Sequence, residues 1–333
     1  MKMQIVYNPH STLALLKYGI QIPVTDFRDK LIADAMTKRG VRIDIIDQKL
    51  NLLQRSDLTR VHQKEFIARL ENPHTLTHEI MSCFELINSD GSYHRYSPET
   101  AVWEFSHLYQ CILGKVETAI YAAQYCLKGE NAFLLGGGFH HAMSFGGRGF
   151  CLLNDIVITL EKLRAEKKIN SAWIIDVDAH KGDGTAELTQ FNPHLSTLSI
   201  HMKSGWPLDS TNDANAPWLI PSTVDIEIAK GEEETYLDKL KEGLLRLESH
   251  HPQADMAIVV LGADPYEKDE LPSASLLNLT LSQMKERDLL VHQFLRDRKV
   301  PVLYVMGGGY GAHSHEPYLE FLTALFECGL SKT

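Results

Sequence analysis

The chain has 333 residues, 44% of them hydrophobic and 23% charged, a balance that excludes disorder and low complexity and supplies a sizeable core. Thirty-three Lys and Arg stand against 43 Asp and Glu, a net charge of −10, so the long-range field repels phosphate backbones and argues against nucleic acid as a ligand. Cys83, Cys111, Cys126, Cys151 and Cys328 are widely spaced and form no Cys-x-x-Cys pair, which fits reduced thiols in a cytoplasmic protein. No apolar run reaches the length of a membrane span, and residues 1–10 read as a short strand with Pro9 behind it rather than a signal peptide.

Short apolar runs that stop at glycines or polar clusters alternate with longer helical patterns, the mark of buried parallel strands joined by helices. In chain order the sequence predicts a strand over 4–7, a helix over 26–38, a strand over 42–46, a helix over 99–127, a strand over 132–135 and a helix over 153–167. Strands over 172–177 and 197–200 follow, then a helix over 232–249, a strand over 256–261, a helix over 281–297 opened by a capping box at Thr280, a strand over 302–306 and a helix over 316–328. The polar stretches 88–98 and 202–221 read as long surface loops, not linkers. With no internal repeat, the expectation is one domain over 1–333 with a three-layer, doubly wound, mostly parallel α/β sheet.

Four of these strands end in reactive residues: Gly136-Gly137-Gly138-Phe139-His140-His141, Asp176-Val177-Asp178-Ala179-His180, Gly262-Ala263-Asp264-Pro265 and Gly307-Gly308-Gly309-Tyr310. The carboxyl ends of parallel strands line one crevice, where the four segments can converge. Asp176, Asp178 and His180 alternate and so project to one side of an extended chain. With Asp264 they make a candidate metal site, in which Asp178, His180 and Asp264 leave an open position for water, as catalytic zinc requires. A lone aspartate at a strand end is ordinarily a turn former or a helix cap; four coordinated strand ends reverse those odds. A calcium-loop reading of 176–187 fails, because the stretch begins inside an apolar strand and Gly182 comes one position late.

His140 and His141 follow three glycines that let the backbone pass close to a ligand, and with Asp176 and Asp183 they make two candidate His–Asp dyads. The glycines at 307–309 lack a Walker lysine or a Gly-x-Gly-x-x-Gly pattern, so they are not a phosphate loop. Tyr310 would instead bring its hydroxyl into the crevice as an oxyanion donor.

In combination and order, these segments resemble the zinc-dependent histone deacetylase family on the arginase–deacetylase fold, together with Gly149-Phe150-Cys151 and Asn154-Asp155. Within it the chain is most similar to the class IV branch and bacterial histone-deacetylase-like amidohydrolases, a likeness that also draws on Lys285-Glu286-Arg287-Asp288. The resemblance implies zinc, or ferrous iron, on Asp178, His180 and Asp264, with Tyr310 helping to polarise an acyl carbonyl. It pairs His141 with Asp183 as the principal general base and acid, and His140 with Asp176 as the electrostatic partner. It adds a structural potassium ion at Asp176 and the carbonyls of 176–180, with Ser199 and Ile200. Phe150 and Trp206 would wall an acyl-lysine tunnel, and Gly138 and Gly308 would leave room for the extended side chain.

There are departures at the substrate rim: Leu208 follows Trp206-Pro207 where the family has glycine, and Leu271 is followed by Pro272 in place of glycine. The acidic residue that grips the substrate backbone should lie in 88–98, where Asp90 is the candidate. The implied function is hydrolysis of Nε-acyl-lysine in a protein or peptide. An acetylpolyamine hydrolase would use the same site on an acylated polyamine. An arginase or agmatinase type on the same fold would need a two-metal, carboxylate-rich centre, and a silent acyl-lysine binder would not need the whole set.

Overall fold

Strands that are apolar on both faces must be covered on both sides, and this requirement sets the architecture. The computed structural model describes residues 2–330. Among them, β1 (Met3–Tyr7), β2 (Ile43–Ile45), β3 (Asn131–Leu134), β4 (Ala172–Asp176), β5 (Leu195–Met202), β6 (Val224–Ile228), β7 (Met256–Val260) and β8 (Val302–Val305) form one sheet in the order β2-β1-β3-β8-β7-β4-β5-β6. Every neighbouring pair is parallel, so the doubly wound α/β expectation is met.

Side chains alternate along each strand into two apolar layers. Trp173, Ile175, Val259 and Tyr304 face one core, under α1 (Arg28–Lys38), α8 (Tyr236–His250), α9 (Leu281–Asp297) and α10 (Glu316–Leu330). Ile174, Ile258, Leu303 and Val305 face the other, under α5 (Phe105–Cys126) and α6 (Asp155–Ala165). Four cysteines, Cys83, Cys111, Cys126 and Cys151, are free and buried; Cys328 lies outside the described side chains. No helix among the described residues is long and apolar enough to cross a membrane.

The sequence predicts no element over 55–83, where three short helices stand: α2 (Arg55–Val61), α3 (Lys64–Glu71) and α4 (Pro73–Cys83). Their apolar residues, among them Leu58, Phe66, Leu70 and Ile80, join the outer face of α5 in a third core. Also unpredicted are β6, an edge strand, and α7 (Asp183–Thr189), whose seven residues follow directly on the metal motif. The helix expected from 99 begins at Phe105 after a short 3-10 turn at Pro98–Thr100.

His62 ties the added helices to the sheet. It accepts the backbone N–H of Asn154 at Nε2 (3.1 Å) and donates from Nδ1 to the Met143 carbonyl (2.8 Å), so these partners fix a neutral imidazole. Burial outweighs the Met143 bond and lowers its pKa to about 4. The unfolded chain therefore takes up this proton at higher pH than the native state does. The contribution of neutral His62 is complete above about pH 6.5 and falls away as the pH drops towards 4. Urea unfolding at stepped pH should show the wild type losing on the order of 3 kcal/mol more stability across this window than His62→Gln. Equal losses would show that His62 does not titrate on unfolding.

Candidate active site

The sheet order sets the motif-bearing strands β3, β8, β7 and β4 side by side, and their carboxyl ends open on one side. The glycine runs after β3 and β8 lie against each other: Met306 N–H donates to the Gly136 carbonyl and Gly307 N–H to the Gly137 carbonyl, both at 3.1 Å. A Cβ on Gly138 would stand 2.6 Å from the Gly307 nitrogen, so a side chain there would force the two loops apart. Between and below these loops lies a chamber of about 910 Å³, including the part open to solvent.

Asp178, His180 and Asp264, all buried, offer ligand atoms within 4.8 Å of one another. His180 Nδ1 lies 2.8 Å from Asp264 Oδ2 and 3.4 Å from Asp178 Oδ1, while its Nε2 is buried without a partner. Gly308 completes the cradle, for a Cβ there would lie 2.7 Å from Asp178 Oδ2 and 2.8 Å from Asp264 Oδ2. Two carboxylates and one imidazole suit a divalent cation of zinc's character, and these residues fit one. Burial opposes the charge on His180, but its bonds and ion pairs with Asp178 and Asp264 raise its pKa to about 10. A divalent cation would take the place of that proton. Among the described residues this is the one group of three such side chains found, which suits a single-metal centre better than a two-metal one.

Both histidines after the β3 glycines are held by carboxylates. His140 Nδ1 donates to Asp176 Oδ2 and His141 Nδ1 to Asp183 Oδ1, each at 2.6 Å. Their rings lie 3.9 Å apart between centroids, and their protonation diverges. Burial works against charge on His140, yet Asp176 and Asp178 overcome it and raise its pKa to about 9. For His141, burial and the neighbouring His140 charge prevail over Asp183, and its pKa falls to about 4. Near neutral pH one imidazole is charged and the other is a free base, the kind of division that assigns acid and base roles. Burial, with the negative charges of Asp264 and Asp178, pushes the Tyr310 hydroxyl well above the usual phenol range, so it remains a donor.

Phe150, Gly138, Gly308 and Tyr310 line the chamber with the metal-site residues and both histidines. Phe150, in the left-handed region at φ 66°, stacks on Phe84 at 6.2 Å and faces Tyr310 at 6.1 Å. Trp206 packs against His141 at 4.6 Å and His180 at 5.6 Å without lining the chamber. Leu271 is buried, does not line the chamber and takes its position from Asp269, which accepts from Leu271 N–H (2.8 Å) and Tyr310 N–H (2.6 Å). Asp90 is committed to its own exposed turn, accepting from Ser92 N–H (2.9 Å) and Oγ (2.6 Å), and does not line the chamber.

Several site residues had escaped the sequence reading. Arg28 reaches from α1 to donate to the carbonyls of Gly307 (3.1 Å), Gly308 (3.1 Å) and Gly309 (2.8 Å). Asp155, at the start of α6, accepts from Gly138 N–H (3.0 Å) and Phe139 N–H (2.8 Å). Asp155 belongs to the Asn154-Asp155 pair, whose spacing points to no role, and Arg28 lies in an ordinary helical pattern that carries no signal. Lys115 and Asp29, 3.3 Å apart, also line the chamber.

Residues 23–325 match the family model described as the histone deacetylase domain. The chain belongs to that family. Among its relatives are an uncharacterized protein of Picosynechococcus sp. (29% identical over 214 residues, 62% of this chain and 65% of that protein) and histone deacetylase 2 of Arabidopsis thaliana (28% over 219 residues, 66% and 54%). The acetoin utilization protein AcuC of Staphylococcus aureus is 30% identical over 223 residues, 62% of this chain and 54% of that one. The chain thus spans 54–65% of the length of these relatives. Two solved structures share the fold. The HDA15 HD domain superimposes with a TM-score of 0.71 at 17% identity, covering 98% of this chain and 90% of that one. An acetylpolyamine aminohydrolase from Burkholderia pseudomallei gives 0.69 at 19% identity, covering 96% and 98%.

Membership of the histone deacetylase family and the three-residue cradle lead to a direct test. Protein equilibrated with a divalent metal and dialysed should retain about one ion per chain, and Asp264→Ala should retain none while keeping its circular dichroism. Full retention by Asp264→Ala would remove Asp264 from the ligand set.

Proposed function

We propose that the chain is a metal-dependent lysine deacylase that hydrolyses the amide of Nε-acyl-lysine in a protein or peptide, releasing a carboxylate and the free amine. The observation that carries this reading is the joint placement, around one chamber, of the Asp178–His180–Asp264 cradle, two histidines each held by an aspartate, and Tyr310. Asp178, His180 and Asp264 would hold the ion, zinc by the family resemblance, with ferrous iron as the alternative. When bound, it supplies Lewis-acid polarisation of the acyl carbonyl and lowers the pKa of water.

The chain's own residues account for the proton movements. His141, neutral and fixed at Nδ1 by Asp183, takes a proton from the attacking water at Nε2 and passes it to the departing lysine amine. His140, held charged by Asp176, stabilises the negative charge that develops on the acyl oxygen. The Tyr310 hydroxyl donates to that oxygen. Phe150 would wall the alkyl chain and exclude water from it, with Gly138 and Gly308 leaving it room; Trp206, which does not line the chamber, would act by packing on His141 rather than as a second wall. Asp176, the carbonyls of 176–180, Ser199 and Ile200 would hold a structural potassium ion.

The assay follows from the mechanism. Metal-loaded protein should turn over one lysine peptide carrying acetyl, lactyl, octanoyl or myristoyl groups, and Tyr310→Phe should lower kcat by ~100- to ~1000-fold, as loss of an oxyanion donor does, with metal content unchanged. Turnover of acetylputrescine but no peptide would move the substrate to acylated polyamines. Absence of turnover on all of them with metal bound would overturn the proposal.

A further inference from the structure

The loop that carries Phe150 also carries an arginine to which the mechanism above gives no part. Arg148 and Cys151 are bonded reciprocally, N–H to carbonyl, at 2.9 Å in both directions, which fixes the base of the Arg148 side chain. Its Nη1 lies 3.6 Å from Asp183 Oδ2. Both atoms are buried, and neither has a hydrogen-bond partner. Its Nη2 donates to Ser210 Oγ at 2.9 Å, and Ser210 in turn donates to the Pro207 carbonyl at 2.6 Å. The guanidinium carbon sits 4.0 Å from the centroid of Trp218 and 5.1 Å from that of Trp206.

These contacts meet at His141. Asp183 binds the imidazole through Oδ1, which also accepts Gly184 N–H at 3.0 Å. That leaves Oδ2 with Arg148 as its counterion. The other pair is built differently: Asp176 Oδ2 takes His140, and its Oδ1 accepts the backbone N–H of Asp178 at 3.1 Å. A backbone N–H thus holds the second oxygen of Asp176, whereas in Asp183 the backbone N–H of Gly184 shares the oxygen that binds His141, and the second oxygen is left to a side chain from another loop. Trp206, the ring that packs on His141, is held by the same guanidinium. Arginine suits this place, since its planar fork can pair with a carboxylate, donate to a hydroxyl and stack on indole at once, which a lysine ammonium cannot.

We infer that Arg148 is a positioning residue for the general base: it orients Asp183 through the carboxylate's second oxygen and clamps Trp206, so that the His141 ring is held from two sides. The inference rests on the proposed role of His141. It assigns to this arginine a part in kcat rather than in substrate affinity, because Arg148 touches the groups that aim the base and does not line the chamber.

The test is Arg148→Ala in the metal-loaded protein, with Arg148→Lys and Arg148→Gln beside it. Loss of aim in a catalytic group costs on the order of 100-fold, so kcat on an acyl-lysine peptide should fall by about that factor in the alanine variant. KM and metal content should be little changed, the lysine variant should be intermediate, and millimolar guanidinium should restore part of the alanine variant's rate. The zinc-loaded wild type should also show the low-field imidazole N–H protons of both histidine–carboxylate pairs. Arg148→Ala should lose or broaden the one assigned to His141 and keep that of His140. An unchanged kcat, a defect confined to KM, or an intact His141 signal would overturn the inference. If the alanine variant does not fold, Arg148→Gln carries the same readouts. If the wild type hydrolyses no acyl-lysine, the function proposed above falls, and the His141 resonance still decides whether Arg148 positions the ring.

Discussion

The molecule depends on one constraint, the side-by-side parallel pairing of β3, β8, β7 and β4 at the middle of the sheet. Parallel strands all end on the same side, so segments more than a hundred residues apart in the chain deliver their last residues to one crevice. The pairing alone would leave those ends at the ordinary strand spacing. The glycine runs narrow it further, since Gly138 and Gly307 pass closer than any residue with a side chain would allow. The chamber, the cradle and the paired histidines all follow from that approach.

Within the crevice, chemical difference is produced by neighbours rather than by residue type. His140 and His141 are adjacent in sequence, equally buried and each bonded to an aspartate at the same distance. They differ in what lies beyond. His140 faces Asp176 and Asp178 together, while His141 faces His140 and His180 with Asp183 alone on the opposing side. Two like groups 3.9 Å apart cannot both carry a proton cheaply in a dry site, and the uneven distribution of carboxylates decides which of them does.

The central strands were legible because a strand buried on both faces has to be apolar throughout, as Ala172–Asp176 and Met256–Val260 nearly are. Strand β6 was not, because Val224–Ile228 alternates apolar and acidic residues at the sheet edge, beside a long polar loop. Helices α2 and α3 run for only 7 and 8 residues, too short for a clear period, and with α4 they owe their order to packing on α5. The same contrast runs through the site. Asp176, Asp178 and His180 declare themselves by spacing within one strand end, and Tyr310 by the glycines before it. Arg28, Asp155 and Asp269 act through backbone atoms of distant loops, which no local pattern records, and Asp90 looked suitable only until its own turn claimed its oxygens.

The family match begins at residue 23, yet β1 lies before that point and is wedged between β2 and β3, with Ile5 and Val6 fully buried. Without it β2 would have no neighbour, and β3 would become an edge with an unpaired row of amides and carbonyls. The family model thus matches a shorter stretch than the one that builds the sheet. The hydrogen bonds of the sheet, not the bounds of that match, mark where the molecule can be cut.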